Sequence, residues 1–193
     1  AGEKQLGTRV KKKESTYGWG EIIDNLPDDE KHILISSTPM SNTGERIASV
    51  FKLNVYTGKI KNKLGKAPLP FSRFLTDSNG ELKVVIGTDR NNDSQLYLKK
   101  ESGWDKIPAN IVGEKVYPLF INASGKYLYT IDNYNQDISG IFKLNLENYQ
   151  YKSVYTDKKV DVKHVEMTSD NRLAYAIRID DGYPAYLILN KKL

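Results

Sequence analysis

The sequence contains no cysteine among its 193 residues. This absence excludes disulfide bonds, cysteine-ligated zinc, iron–sulfur clusters and a thiol nucleophile. The sequence also lacks an apolar run of the roughly 18 residues needed to cross a bilayer. Its first residues, Ala1 to Lys13, are polar and unlike a signal sequence. We therefore expect a soluble protein, and the sequence leaves a cytoplasmic or a periplasmic location open.

A large excess of one charge is missing as well. The 29 basic residues stand against 24 acidic ones, which gives a formal net charge of +5. Phosphate backbones and anionic lipid surfaces attract proteins through concentrated positive charge, and here the lysines are scattered. We therefore expect no nucleic acid and no membrane as partner. A hydrophobic fraction of 39% with 13 tyrosines indicates a folded chain.

A repeat of polar turns and apolar strands is the strongest pattern present. Turn residues Gly80, Gly125 and Asn171 recur at steps of about 45 residues, and each precedes an alternating apolar segment. A second set of positions, which holds an aromatic residue in each unit, has the same period. These positions are Phe51, Tyr97, Phe142 and Tyr186. Two sets of positions with one period indicate a repeated structural unit.

Each unit reads as a small antiparallel sheet, because apolar and polar residues alternate and no window has a helical period. A period of 40 to 50 residues with about four strands per unit is typical of propeller blades, whereas a β-sandwich, the alternative, needs no period. The sequence therefore predicts an all-β partial propeller of about four blades. We place the blades at 21–66, 67–111, 112–157 and 158–193, and assign 1–20 to the edge of a preceding blade.

Three segments carry a family resemblance: IDNLPDD at 23–29, FKLNVYTG at 51–58 and FSRFLTD at 71–77. They resemble the N-terminal propeller of bacterial serine peptidases of the prolyl oligopeptidase family, the acylaminoacyl-peptidase and dipeptidyl-peptidase-like group. The resemblance extends from Glu21 to Asn190. It implies that the parent protein has a following α/β-hydrolase domain with a Ser, Asp and His triad, whose entrance the propeller restricts to short peptides.

The sequence lacks a Gly-x-Ser-x-Gly motif, which would present a nucleophilic serine on a strand-to-helix turn. His32 and His164 lie in strand-like segments, and we interpret them as inter-strand or surface histidines. Ser36 and Ser37 are close to His32 in sequence, but nothing fixes a triad there. We therefore assign no catalytic residue to this chain and expect it not to be an enzyme by itself.

Carboxylates form several clusters that resemble sites. Asp89 to Asp93 begins like a calcium loop, but Ser94 stands where a glycine is needed and Lys100 where a glutamate is needed. We interpret this segment, and the equivalent one from Asp132 to Asp137, as polar loops, and we predict no metal and no cofactor. The pairs Asp28–Asp29, Asp161 with Glu166, and Asp180–Asp181 invite a glycosidase interpretation; we assign the first and third pairs to turns.

Three further features have simple structural explanations. Lys11 to Lys13 form a short basic run that we interpret as a solvated terminal segment. Trp19 and Trp104 are each adjacent to glycine, and we expect them to fill interfaces between blades.

Two functions remain in view. The first is a non-catalytic propeller segment of a serine peptidase, with the hydrolase domain as partner and a peptide substrate in passing. The alternative is a stand-alone interaction module that binds protein or peptide on loops around Asn42, Asn91 and Asn133. In either case, an array of about four blades leaves terminal faces and edges open, so we expect self-association through them.

Overall fold

The computed structural model describes residues 18–40, 46–169 and 173–189. Every regular element in these ranges is a β-strand, and the strands form four antiparallel sheets in chain order. The predicted all-β architecture is confirmed. The strands of sheet 1 are β1 (Gly18–Asp24), β2 (His32–Pro39), β3 (Ser49–Asn54) and β4 (Ile60–Lys66). Those of sheet 2 are β5 (Arg73–Thr76), β6 (Leu82–Thr88), β7 (Ser94–Lys100) and β8 (Gly103–Lys106).

Sheets 3 and 4 continue the same pattern. Sheet 3 contains β9 (Tyr117–Ile121), β10 (Tyr127–Asp132), β11 (Gly140–Asn145) and β12 (Tyr151–Tyr155). The described strands of sheet 4 are β13 (Val162–Met167), β14 (Ala174–Asp180) and β15 (Pro184–Ile188). In each sheet every strand pairs with the next strand along the chain. The first strand is therefore always an edge strand, with one side unpaired within its sheet.

The predicted turns have the backbone that tight hairpins require. Gly80 and Gly125, each in the first hairpin of its sheet, have φ of 75° and 72°. This left-handed region costs glycine little, because glycine has no Cβ. Asn171, the third predicted turn marker, lies outside the described residues.

Apolar side chains between neighbouring sheets form three separate cores. In β5, Phe74 packs toward sheet 1 and the next residue, Leu75, packs toward sheet 3, because successive side chains of a strand point to opposite faces. Sheets 2 and 3 are thus buried on both faces. The buried residues between sheets 1 and 2 are Ala48, Val50, Ala67, Phe74 and Val85. Those between sheets 2 and 3 include Val84, Leu96, Leu128 and Leu144, and those between sheets 3 and 4 are Ile141, Val162, Val165 and Ile177.

The two tryptophans differ in their surroundings. Trp104 lies between sheets 1 and 2, where its Nε1–H donates to the carbonyl oxygen of Lys66 at 2.8 Å and its ring lies 6.1 Å from that of Phe74. This confirms its predicted interface role. Trp19 is 46% exposed, and the guanidinium of Arg46 lies 5.6 Å from its ring centroid.

The N-terminal segment differs from the sequence prediction. Gly18 to Gly20, which we assigned to the edge of a preceding blade, pair with β2, because β2 runs as far as Pro39 and offers them partners from Ser37 to Pro39. Tyr186 lies in the third strand of its sheet, as the other three aromatic residues of the repeat do in theirs, and it pairs with Arg178 on the face opposite Ile177. Because Ile177 packs toward sheet 3, Tyr186 faces away from sheet 3 and is 53% exposed.

Candidate functional site: a groove lined by the first strands

A groove of about 900 Å³ is lined mainly by the first strands of the four sheets. Strands β1, β5, β9 and β13 all contribute to it, together with the start of the hairpins that follow them. β5 lies beside both β1 and β9. Since each of these strands is the edge of its sheet, its unpaired side is free to form the groove wall.

One part of the groove lining is apolar. Leu119, Phe120, Ile131 and Met167 contribute to the lining. Phe120 stacks on Tyr129 with ring centroids 4.8 Å apart, which fixes the orientation of its ring. This part of the groove is suited to an aliphatic or aromatic group.

Polar contacts join neighbouring first strands along the groove. The hydroxyl of Thr76 in sheet 2 donates to Asp24 Oδ2 in sheet 1 at 2.6 Å. The same carboxylate accepts the backbone N–H of Leu26 through Oδ1 at 2.7 Å. Between sheets 2 and 3, the Ser78 hydroxyl donates to the carbonyl of Ala123 at 3.1 Å. These contacts hold the spacing of the strands.

Arg73 is the most strongly held cation of the groove. Its Nη1–H donates to the carbonyl oxygen of Pro118 at 3.0 Å, and its guanidinium lies 4.9 Å from the ring centroid of Tyr117. The hydrogen bond links β5 to the edge of β9. A cation over an aromatic face is attracted by the ring quadrupole, so the two contacts together fix the guanidinium plane.

Asp77 lies at the end of β5 and is only 8% exposed. Its Oδ1 accepts the N–H groups of Asn79 and Glu81 at 2.9 and 3.0 Å, and its Oδ2 lies 3.3 Å from Lys83 Nζ. This carboxylate therefore stabilises the hairpin that carries Gly80. The bond to Glu81 has the largest effect on the pKa of Lys83 and raises it. Burial opposes this rise, and Asp77 adds to it.

His164 lies on β13 in the groove, next to Lys163. Our sequence interpretation treated His164 as an inter-strand or surface histidine, and it assigned no functional role to Arg73 within the segment at 71–77. The pattern that would have found both is their common place in the first strand of a repeated unit. Lys163 Nζ is 3.5 Å from Asp161 Oδ2, and Oδ1 of that carboxylate accepts the N–H of Ser139 at 2.8 Å. These contacts lower the pKa of Asp161, the bond from Ser139 most of all.

His32 is the first residue of β2 and has an inter-strand environment. Its Nδ1 is 2.8 Å from Asp29 Oδ1, and its Nε2 is 3.5 Å from Asn54 Nδ2 on the neighbouring strand. Lys52 Nζ approaches Asp29 Oδ2 at 2.6 Å. Lys52 and then His32 hold the pKa of Asp29 well below its usual range. In the part of the chain that the structure describes, no serine hydroxyl is bonded to His32.

The two polar loops use their first carboxylate internally. Asp89 accepts the N–H groups of Asn91 and Asp93 at 2.9 and 3.0 Å, which closes its own turn. Asp132 is fully buried and accepts the Gly113 N–H and the Tyr151 hydroxyl. Within the described ranges, no cluster of three or more His, Cys, Asp or Glu side chains is placed to hold a metal ion.

The remaining sequence candidates are dispersed. Asp28 and Asp29 lie in the first hairpin of sheet 1, and Asp180 ends β14 immediately before Asp181 in its turn. Asp161 precedes β13, which contains Glu166. Asn42 and Lys11 to Lys13 lie outside the described residues. None of the elements seen in the described ranges is a helix long and apolar enough to span a membrane.

Solved structures with β-propeller domains are similar to this chain. TolB from Acinetobacter baumannii is 14% identical and superposes with a TM-score of 0.58, over 91% of this chain and 42% of TolB. The fold is a β-propeller. The propeller domain of the Trilobed protease from Pyrococcus furiosus is 8% identical with a TM-score of 0.48, over 92% of this chain and 59% of that domain. Neither a protein-family model nor a curated protein sequence matches this propeller.

The chain spans less than two thirds of the length of either structure. Propellers arrange their blades around a central channel. The first strands of neighbouring sheets approach one another, β1 beside β5 and β5 beside β9, so β1, β5, β9 and β13 lie on the channel side of their sheets. The groove is the part of the channel wall that these four sheets provide.

Proposed function

We propose that this chain is a non-catalytic propeller segment of a serine peptidase of the prolyl oligopeptidase type, which limits substrate access to an α/β-hydrolase domain outside this sequence. The observation that carries the proposal is the groove along the first strands of the four sheets. Its volume of about 900 Å³ lies in the range of sites that enclose small ligands, about 300 to 1,000 Å³. A short peptide fits such a space, and a folded domain does not.

The contacts along the channel wall support a filtering role. An access filter needs walls that keep their spacing when a ligand presses on them. Here Thr76 is bonded to Asp24, Arg73 to Pro118 and Ser78 to Ala123, so two of the three blade junctions have such a contact next to the groove. The segments at 23–29, 51–58 and 71–77 connect this geometry to the peptidase family by resemblance.

The direct test is to read the coding sequence beyond Leu193 and to treat the full-length product with a serine-directed fluorophosphonate probe. We expect labelling of the full-length protein and none of the 193-residue chain. A downstream sequence without a Gly-x-Ser-x-Gly motif and a later histidine would refute the peptidase assignment. In that case the interaction module, with the exposed loops around Asn91 and Asn133, becomes the working hypothesis.

The filtering role has its own test in the full-length enzyme. Ser78→Trp adds a large side chain at the groove, whereas Asn91→Trp adds the same group to an exposed loop at the opposite end of sheet 2. We expect Ser78→Trp to lower kcat/KM for long peptides more than for dipeptides, and Asn91→Trp to change neither. Equal effects of the two variants on both substrates would show that the groove does not limit access.

A further inference from the structure

The charged groups of the groove differ in how much hydrogen-bonding capacity they retain. The lining contains two carboxylates, Asp24 and Asp77, and two cations, Arg73 and Lys163. Both oxygens of Asp24 accept a bond from protein. Oδ1 of Asp77 accepts two N–H groups, and its Oδ2 faces Lys83. The acidic groups of the groove are therefore already occupied by the fold.

The cations retain unused donors. A guanidinium has five N–H groups. In the described residues one of them, on Nη1 of Arg73, is bonded to protein, through Pro118. The side chain of Lys163 is 55% exposed, and its neighbour Asp161 lies 3.5 Å away and is itself bonded to Ser139. The unused hydrogen-bonding capacity of the groove therefore consists of N–H donors on positively charged groups.

We propose that the groove binds the C-terminal carboxylate of a peptide through Arg73, with Lys163 adding positive charge and the last side chain of the peptide lying on the apolar lining. This inference rests on the proposed function and deepens it by naming the ligand class. A planar guanidinium binds a carboxylate through two parallel N–H···O bonds. Tyr117 and Pro118 hold the Arg73 plane in advance, so little ordering is needed on binding. Leu119, Phe120 and Ile131 supply the apolar surface.

The test uses the 193-residue chain and a fluorescein-labelled tetrapeptide ending in leucine, prepared as the free acid and as the C-terminal amide. Fluorescence anisotropy gives both dissociation constants. A hydrogen-bonded charge is worth more than one factor of ten in affinity, so we expect the free acid to bind at least about tenfold more tightly than the amide. We expect Arg73→Gln to reduce this preference to about twofold or less, and Arg73→Lys, which keeps the charge but not the planar fork, to be intermediate.

Arg90→Gln is the matched control, because Arg90 is an exposed arginine in the loop between β6 and β7. It should leave the preference unchanged. Lys163→Gln is the second variant. Because Lys163 is exposed and contacts Asp161 at the surface, its replacement should preserve the fold while weakening binding of the free acid. Circular dichroism checks each variant for folding. Equal affinity of the wild type for the acid and the amide would overturn the carboxylate site. So would an unchanged preference for the acid in Arg73→Gln and Lys163→Gln, provided that both variants are folded. Fluorophosphonate labelling of the full-length protein is a separate measurement, so failure of the carboxylate site can be distinguished from failure of the proposed function.

Discussion

Replacement of Asp132, the last residue of β10, should destabilise the protein more than replacement of an exposed carboxylate in the loop that follows. This side chain is 0% exposed and accepts three bonds: from the Gly113 N–H at 2.8 Å, from the Asn133 N–H at 2.8 Å and from the Tyr151 hydroxyl at 2.7 Å. Tyr151 keeps a second partner in Thr130, at 2.6 Å. Asp132→Ala therefore leaves two main-chain N–H groups without an acceptor, and each unsatisfied buried donor costs about 1–3 kcal/mol. We expect a loss of roughly 3 kcal/mol in the free energy of unfolding.

Asp132→Asn keeps one carbonyl oxygen but turns an NH₂ group toward donors, so a loss of about 1–2 kcal/mol is expected. The control is Asp137→Asn, an exposed residue of the same loop, which should stay within about 0.5 kcal/mol of the wild type. Urea denaturation followed by circular dichroism measures all three. The double variant Asp132→Asn with Tyr151→Phe should lose less than the sum of the single losses, because the two side chains share a bond. Equal midpoints for Asp132→Asn and Asp137→Asn would refute the argument.

Two further predictions follow from burial and exposure. Burial raises the pKa of Tyr151, so the folded protein keeps a neutral phenol where the unfolded chain ionises near pH 10. The contribution of Tyr151 to the free energy of unfolding is complete below about pH 10 and is lost as the pH rises further. Tyr151→Phe should therefore reduce the fall of the urea midpoint at alkaline pH. An unchanged dependence of the midpoint on pH would contradict this. Ile22 and Ile60 are 59% and 56% exposed on the face of sheet 1 that points away from sheet 2. We expect the chain to self-associate through such exposed apolar faces. Light scattering should give an average mass that rises with protein concentration. The rise should be smaller for Ile60→Lys than for the control variant Val154→Lys. A wild type that stays monomeric at high concentration would contradict the predicted self-association.

The repeat could be predicted because its signals are local. A hairpin turn needs a residue that accepts positive φ, and Gly80 and Gly125 are visible as such in the sequence. The alternation around them shows which residues share a face. Which neighbouring sheet a side chain faces is harder to predict, because it depends on the register between strands. Tyr186 illustrates this, because register in sheet 4 places it opposite Arg178, on the face away from sheet 3.

The groove could not be predicted from the sequence in the same way. Arg73 belongs to it because β5 lies beside β9, which brings Pro118, 45 positions away, within hydrogen-bonding distance. Asp132 looked like a loop residue, but Gly113 and Tyr151, each 19 positions away, enclose its carboxylate. A glycine is needed at 113, since a Cβ there would collide with Asp132. Such contacts depend on how the sheets stack, which no single segment encodes.

The separate cores between successive sheets have a consequence for how this architecture changes in evolution. Each core joins two adjacent sheets only, so its energy depends on one pair of neighbours and not on the whole ring. Duplication or deletion of one complete unit of about 45 residues therefore creates or removes a junction while leaving the others intact. The channel would then change its diameter in discrete steps, one blade at a time.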